Sequence, residues 1–334
     1  MLAVVLSIAA HAQSNTSFLT KALSKDAIKD VYARTSGGGI LISGVAESEA
    51  RIEVHITGNN NSDLSKAEIE KRLDEDYDLE VTAAGGKLTA TAETKHNNIN
   101  WKRALNISFK IYVPKNVSTD LATSGGGIDL SNLSGSQKFS TSGGGLNIDK
   151  LSGKIYGRTS GGGIDVSNST DDIDLSTSGG GINASNCTGN LILNTSGGSL
   201  DLSELSGKIE ARTSGGGVHA DHIKGELFAH TSGGSVSLRD IIGSVDTSTS
   251  GGNMDIEIDE FGNYFTASNS GGNIRIKMPG NKGIDLKLRA EDIRIESLNN
   301  FSGDKDEHRV TGKMNGGGVP VDVHTSGHIT IAFK

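Results

Sequence analysis

The sequence predicts an all-β protein, a right-handed parallel β-solenoid with 18-residue coils and two short strands per coil. An irregular N-terminal cap region with one short helix precedes it. Three observations carry this reading. The phrase Thr-Ser-Gly-Gly-Gly-Ile opens at Thr123 and returns, varying only in its last two positions, at Thr141, Thr159, Thr177, Thr195, Thr213, Thr231 and Thr249, every 18 residues without insertion or deletion. A fixed period of this kind marks a stack of identical units. Counting Thr as position 1, positions 6 and 8 are apolar around a polar position 7, as in Ile128-Asp129-Leu130 and Leu200-Asp201-Leu202. Nine residues on, positions 15 and 17 repeat the alternation, as in Ile173/Leu175 and Leu191/Leu193. Period-two alternation is the signature of a strand with one buried face.

A strand this short cannot bury a face alone, but stacking unit on unit joins the apolar positions into continuous columns. Parallel stacking sets the coils about 4.8 Å apart, so eight of them span roughly 40 Å. The right hand follows from the preference of parallel crossovers. The glycines at positions 3 to 5, among them Gly125, Gly126, Gly127, Gly143, Gly144, Gly145, Gly161, Gly162 and Gly163, suit a corner that needs positive φ and admits no Cβ between stacked backbones. A looser turn near positions 9 to 13 separates the two strands.

Taken in order, residues 1–12 read as a signal peptide, an apolar run ending in Ala10-His11-Ala12. The positive segment that ordinarily precedes such a run is missing, as expected of a start inside a longer signal, and the alternative reading is a buried N-terminal strand. Residues 13–122 form the cap region. It contains a first copy of the phrase, Arg34-Thr-Ser-Gly-Gly-Gly-Ile40, 88 residues ahead of the array. Arg51 to Thr57 alternates as a strand, and Ser65-Lys-Ala-Glu68 is a capping box opening a helix from Ala67 to Leu73. Gly85-Gly86 turns a hairpin, and Ala104 to Val113 is a longer strand that stops at Pro114. Residues 123–280 are the regular array. Beyond Thr249 the period breaks, the next phrase opening two residues late at Asn269, and residues 281–334 read as the closing coils, with a last phrase at Thr325-Ser-Gly.

Hydrophobic residues make up 34% and aromatics 4% of the chain, enough for a core of stacked aliphatic columns. The net charge of −8 argues against nucleic acid and anionic lipid as partners. No run after the signal is long enough to span a membrane as a helix. Cys187, the one cysteine, occupies position 11, where other units carry Leu or Ile, so it reads as a buried hydrophobe.

The repeated Thr-Ser-Gly-Gly-Gly-Ile units, the early copy ahead of Ile111-Tyr-Val-Pro114 and the closing Gly-Gly-Gly-Val-Pro-Val…Thr-Ser-Gly-His-Ile-Thr-Ile resemble the DUF4097 family. The resemblance implies an exported bacterial β-strand-repeat protein of a group labelled as adhesins, in the periplasm or at the cell surface. It brings no catalytic or binding residues.

Chemistry read from the residues themselves is sparse. Asp129, Asp165 and Asp201 do not make up a complete calcium loop: glycines occupy only one half of each coil, and Asn147 and Asn183 alternate with the acids as in a solvated ladder. His219, His222 and His230 fall on different sides of the coil and do not converge as metal ligands. No nucleophile, base and acid stand together. The expectation is therefore a non-enzyme without metal or cofactor that binds a surface ligand, protein or glycan, or itself; a self-associating envelope scaffold is the alternative, and a polysaccharide-active enzyme a remoter one. Position 16 points outward and is generally polar, yet Tyr156, Ile192 and Phe228 are apolar on every second coil. They form a candidate contact face, unless β propensity alone selects them or the helix near Ala67 folds over them.

Overall fold

The computed structural model describes residues 17–59, 62–96, 101–298 and 300–334, so the expected signal at 1–12 lies outside the described residues. The chain is all-β, with one α-helix among the described residues, Lys66–Asp76. Two parallel ladders organise it. In the first, Leu146 lies beside Ile128 on one side and Ile164 on the other, and the 18-residue step continues through Ile182, Leu200, Val218, Val236 and Met254. In the second, Tyr156 lies between Lys138 and Asp174, and the same step runs on through Ile192, Glu210, Phe228 and Asp246. Some coils keep both runs as one strand of 14 residues, as in Leu146–Thr159 and Val218–Thr231. Between these two, the short strands of three coils close a ring of eight strands, with the remaining strands outside it.

The buried columns are the predicted ones. Ile128, Leu146, Ile164, Ile182, Leu200, Val218, Val236 and Met254 are all at most 1% exposed. Each such side chain stabilises the fold by about 1.5–3 kcal/mol relative to an exposed one. Packing is complementary across coils. At position 17, Phe139 sits beside Gly157, where a Cβ would lie 2.4 Å from the phenyl ring. The missing side chain makes room for the large one. Cys187 is fully buried, its Sγ donating to the Ser185 carbonyl at 3.3 Å, as the Ser169 hydroxyl one coil earlier donates to the Ser167 carbonyl at 2.8 Å. Burial pushes the thiol pKa up.

The corner glycines act differently from the expectation. None of those at positions 3 to 5 of the array has positive φ. Their requirement is steric and concentrated at position 4. A Cβ on Gly144 or Gly162 would lie 2.1 Å from the carbonyl oxygen of the equivalent glycine one coil away, and on Gly126 2.3 Å from that of Gly38. At positions 3 and 5 the nearest atoms are looser, 3.2 Å for Gly125, Gly127 and Gly145, 3.3 Å for Gly161 and 3.4 Å for Gly143 and Gly163. Position 5 accordingly holds Ser199, Ser235 and Asn253 in later units. Positive φ belongs to the other turn. Position 10 is left-handed in Asn132, Lys150, Asn168, Asn186, Glu204, His222 and Asp240, and position 13 in Gly135, Gly153, Asp171, Gly189, Gly207, Gly225 and Gly243. Asn and Gly tolerate that region best.

Position 1 joins the coils. The buried Thr141, Thr159, Thr177, Thr195, Thr213, Thr231 and Thr249 each donate Oγ1–H at 2.7 Å to the position-4 carbonyl of the preceding unit, Gly126 through Gly234. The same oxygens accept from the N–H of the position-4 glycine in their own unit, as from Gly198 to Thr195 at 3.3 Å. Asn269 replaces Thr in the next phrase and reproduces both contacts, donating to the Gly252 carbonyl at 2.7 Å and accepting from Gly272 at 3.0 Å.

The first phrase rejoins the array in space. Thr35 pairs with Thr123 and Ile40 with Ile128, and Thr123 donates to the Gly38 carbonyl at 2.6 Å. On its other side lie Lys87–Thr94 and Leu105–Pro114, so this coil is inserted between later segments. The last phrase does the same: His328–Phe333 lies between Ile274–Met278 and Asp292–Ile295. Antiparallel strands cover both ends, Arg51–Gly58 and Tyr77–Ala84 at one and Arg309–Met314 with Phe301–Lys305 at the other. The helix, capped by Ser65 Oγ accepting from Glu68 at 3.3 Å, packs against Tyr77–Ala84 and Arg51–Gly58.

Two substitutions test these contacts. Gly162→Ala is expected to lower stability by about 3 kcal/mol or more, because its Cβ overlaps backbone. Gly163→Ala, one residue on, should change it by at most about 1 kcal/mol. Denaturant midpoints compare the two, and equal losses would remove the steric account. Thr195→Val keeps the shape and deletes the hydroxyl, leaving the Gly180 carbonyl without its donor, at an expected loss of about 1–3 kcal/mol. Thr195→Ser should retain most of the native midpoint.

Candidate functional site

The alternation that buries positions 15 and 17 turns positions 14, 16 and 18 outward, so the second ladder presents a regular face. Tyr156 is 38% exposed there, and Ile192 and Phe228 are partly exposed. The three lie in one column, separated by Asp174 and Glu210. The Arg158 guanidinium sits 4.5 Å from the centre of the Tyr156 ring and also donates to the Tyr156 hydroxyl and to Ser176. The Lys208 ammonium lies 5.5 Å from the centre of the Phe228 ring. Tyr264 extends the face, donating its hydroxyl to Glu226 at 2.8 Å; desolvation first, and that carboxylate second, push its pKa up to about 12.

Beside this column a groove of about 750 Å³ follows the corner of the coils. Its walls carry the position-2 serines Ser36, Ser124, Ser142, Ser160, Ser178 and Ser196, with Ser140, Arg158, Ser176 and Asn194 of position 18. The serines of position 2 are exposed, whereas the threonines next to them turn inward. Arg34 closes one end, bound to the Asp120 carboxylate at 2.7 Å. The face is thus an extended strip of hydroxyls with a parallel apolar row.

The remaining sequence candidates fall elsewhere. On the first ladder, Asn183 donates to Asp165 at 2.7 Å and Asn147 to Asp129, so the alternating amides hydrogen-bond the acids and hold them two coils apart. His219 projects from that ladder and His230 from the second, and the two are not brought together. One grouping escaped the sequence reading. Position 10 stacks His222 next to Asp240, with Asp221 adjoining, and a carboxylate lies on each side of the ring, at 2.8 Å from Nδ1 and 3.6 Å from Nε2. The 18-residue step from 222 to 240 is the signal that would have found it. Ligand atoms of Asp221, His222 and Asp240 lie within 4.8 Å of one another, as do those of Asp240, Glu257 and Asp259. The Lys334 ammonium already bonds Glu257 and Asp259. With both ring nitrogens facing carboxylates, His222 is placed as an ion-pairing group and not as a base for a nucleophile. His230 Nδ1 meets Ser248 at 2.7 Å, a contact between adjacent coils of the kind Arg158 makes with Ser176.

The stacked 18-residue units define a β-strand-repeat protein. The chain belongs to the Toastrack DUF4097 family, which it matches over residues 44–332. A solved structure, that of a "putative cell adhesion protein" from Clostridium sporogenes ATCC 15579, is similar at 11% identity, over 95% of this chain and 98% of that one, with a TM-score of 0.23. No curated protein matches the chain. No helix among the described residues is long and apolar enough to cross a membrane.

The two histidines titrate in opposite directions. The Asp221 hydrogen bond raises the pKa of His222 above 6.5, whereas burial lowers that of half-buried His230. A raised pKa gives stability that is fully present below the unfolded value and is lost as pH rises through the folded one. For His230 stability is complete above 6.5 and falls as pH drops from there through its lowered value. NMR titration should place the His222 midpoint above 6.5 and the His230 midpoint below it. His230→Gln should flatten the loss of stability just below pH 6.5; an unchanged acid limb would contradict the assignment.

Proposed function

We propose that this chain is a non-catalytic, exported cell-envelope or surface protein that binds a ligand along the outward face of its second ladder. In this reading the stacked coils form a right-handed β-solenoid. Residues 1–12 direct export, 13–122 cap the stack, 123–280 form its regular part and 281–334 close it. The observation that carries the proposal is the outward apolar row Tyr156, Ile192 and Phe228, flanked over the coils of Tyr156 and Ile192 by the hydroxyl-lined groove. An apolar row on the outward face of a sheet is what a contact surface requires and what solubility alone disfavours. The helix packs on other strands, which leaves the row open. The antiparallel strands at both ends support a binder over the self-associating scaffold, since they obstruct end-to-end stacking.

Replacing Tyr156, Ile192 and Phe228 together by Ser tests the reading. The β circular-dichroism signal and melting transition should persist, because all three side chains point outward. Adhesion of protein-coated beads to bacterial cells should fall several-fold. Unchanged adhesion would remove this face from the proposal, and loss of self-association, followed by sedimentation, would favour the scaffold. Fractionation with surface proteolysis tests the export.

A further inference from the structure

We infer that the ligand of this face is a linear, uncharged, β-linked glycan lying along the stack, an assignment that rests on the binding reading above and gives it a chemical class. The first argument is spacing. The apolar side chains recur on every second coil, about 9.6 Å apart by the interstrand distance. In a β-1,4-linked pyranose chain each sugar is turned over relative to the last, so the same ring face recurs with every second sugar. The rise per sugar is close to the rise per coil. Tyr156, Ile192 and Phe228 therefore meet equivalent faces of alternate sugars, and the coils between them meet the intervening ones. The C–H face of a pyranose packs on an aromatic ring such as Tyr156 or Phe228 with its hydroxyls leaving at the edges, and Ile192 offers an aliphatic contact between the two rings.

The second argument is the distribution of hydrogen-bonding groups. Ser140, Ser176 and Asn194 of position 18 set polar side chains next to the row, and Ser142, Ser160, Ser178 and Ser196 add one exposed hydroxyl per coil farther out along the corner, all able to donate and accept. A ladder of such groups suits sugar hydroxyls, which need both functions.

The third argument is charge. Outward positions 14, 16 and 18 from Ser136 to Ser248 carry Lys138, Lys154, Arg158, Lys208 and Arg212. Against these five cations stand Asp172, Asp174, Glu210, Glu226 and Asp246, five anions, so this face sums to zero on a chain of net charge −8. Several are held by one another, as Arg212 is by Glu210 at 2.6 Å. A polyanion would meet the carboxylates and a polycation the arginines and lysines, whereas a neutral polymer meets neither penalty. An extended peptide is disfavoured by the same face. The strands beneath it are hydrogen-bonded on both edges, which leaves no free edge for strand addition.

Calorimetry or NMR titration of the full chain with cellohexaose, chitohexaose and the α-linked maltohexaose tests the inference. At least one β-linked hexaose is expected to bind ten-fold or more tightly than maltohexaose. The Tyr156/Ile192/Phe228→Ser variant should bind it at least ten-fold more weakly while melting as the native chain does. Ile192→Trp, which enlarges the middle platform and leaves the core untouched, should tighten binding several-fold and keeps the test independent of the triple variant. Binding of neither β-linked hexaose, or equal binding of maltohexaose, would overturn the glycan assignment. If cell adhesion still depends on the three residues in that case, the contact face stands and its ligand is a protein. If the native chain neither adheres to cells nor binds any hexaose, the binding reading falls with it.

Discussion

Everything in this molecule depends on how closely one coil can approach the next at the glycine corner. The position-1 threonine hydroxyl donates to a glycine carbonyl in the preceding unit and accepts from the glycine N–H of its own, so one small group satisfies both stacked backbones. That contact requires the two corners to touch, and they can touch only where position 4 lacks a Cβ. Thr and Gly are thus a single device. Asn269 shows what it demands, since a longer side chain serves where it offers a donor and an acceptor in the same two directions. An unpaired carbonyl in that buried corner would cost more than the hydrogen bond itself contributes, and this explains the constancy of the threonine.

Much of this was legible in the sequence because the period converts one local pattern into a three-dimensional lattice. Once Thr123 and Thr141 are known to be equivalent, the neighbours of every residue in the array follow, including the outward column of Tyr156, Ile192 and Phe228. The backbone angle at the glycines was not legible, because close approach and positive φ leave the same residue behind. The left-handed residues at position 10 were hidden for the opposite reason: Lys150, Glu204 and His222 occupy it beside Asn168 and Asn186, so composition does not announce the conformation. The pairing of His222 with Asp240 required carrying the 18-residue step into the turn, where the pattern of apolar residues that defines the period has stopped. The partners of the first and last phrases lie across long non-repeating segments, beyond what a period can reach.

The same lattice makes the outward face both regular and tunable. Any residue there is repeated in place once per coil, so like charges would accumulate in columns unless broken. The amides of Asn147 and Asn183 break one such column, and apolar residues alternating with Asp174 and Glu210 break another. Separation of like charges at this distance removes a destabilising neighbour from each coil. The alternation that avoids repulsion is also what gives the apolar row its two-coil period.

Insertion of the first and last phrases into the stack sets the order in which the chain can assemble. Residues 30–45 have no complete neighbours until both 87–114 and 118–141 exist, and 292–295 cannot be joined to the array until 328–333 has been made. The ends consequently have high contact order although the middle is built from near neighbours, and closing long loops is slow. A chain emerging from the ribosome can zip its central coils as they appear, but its two termini must wait.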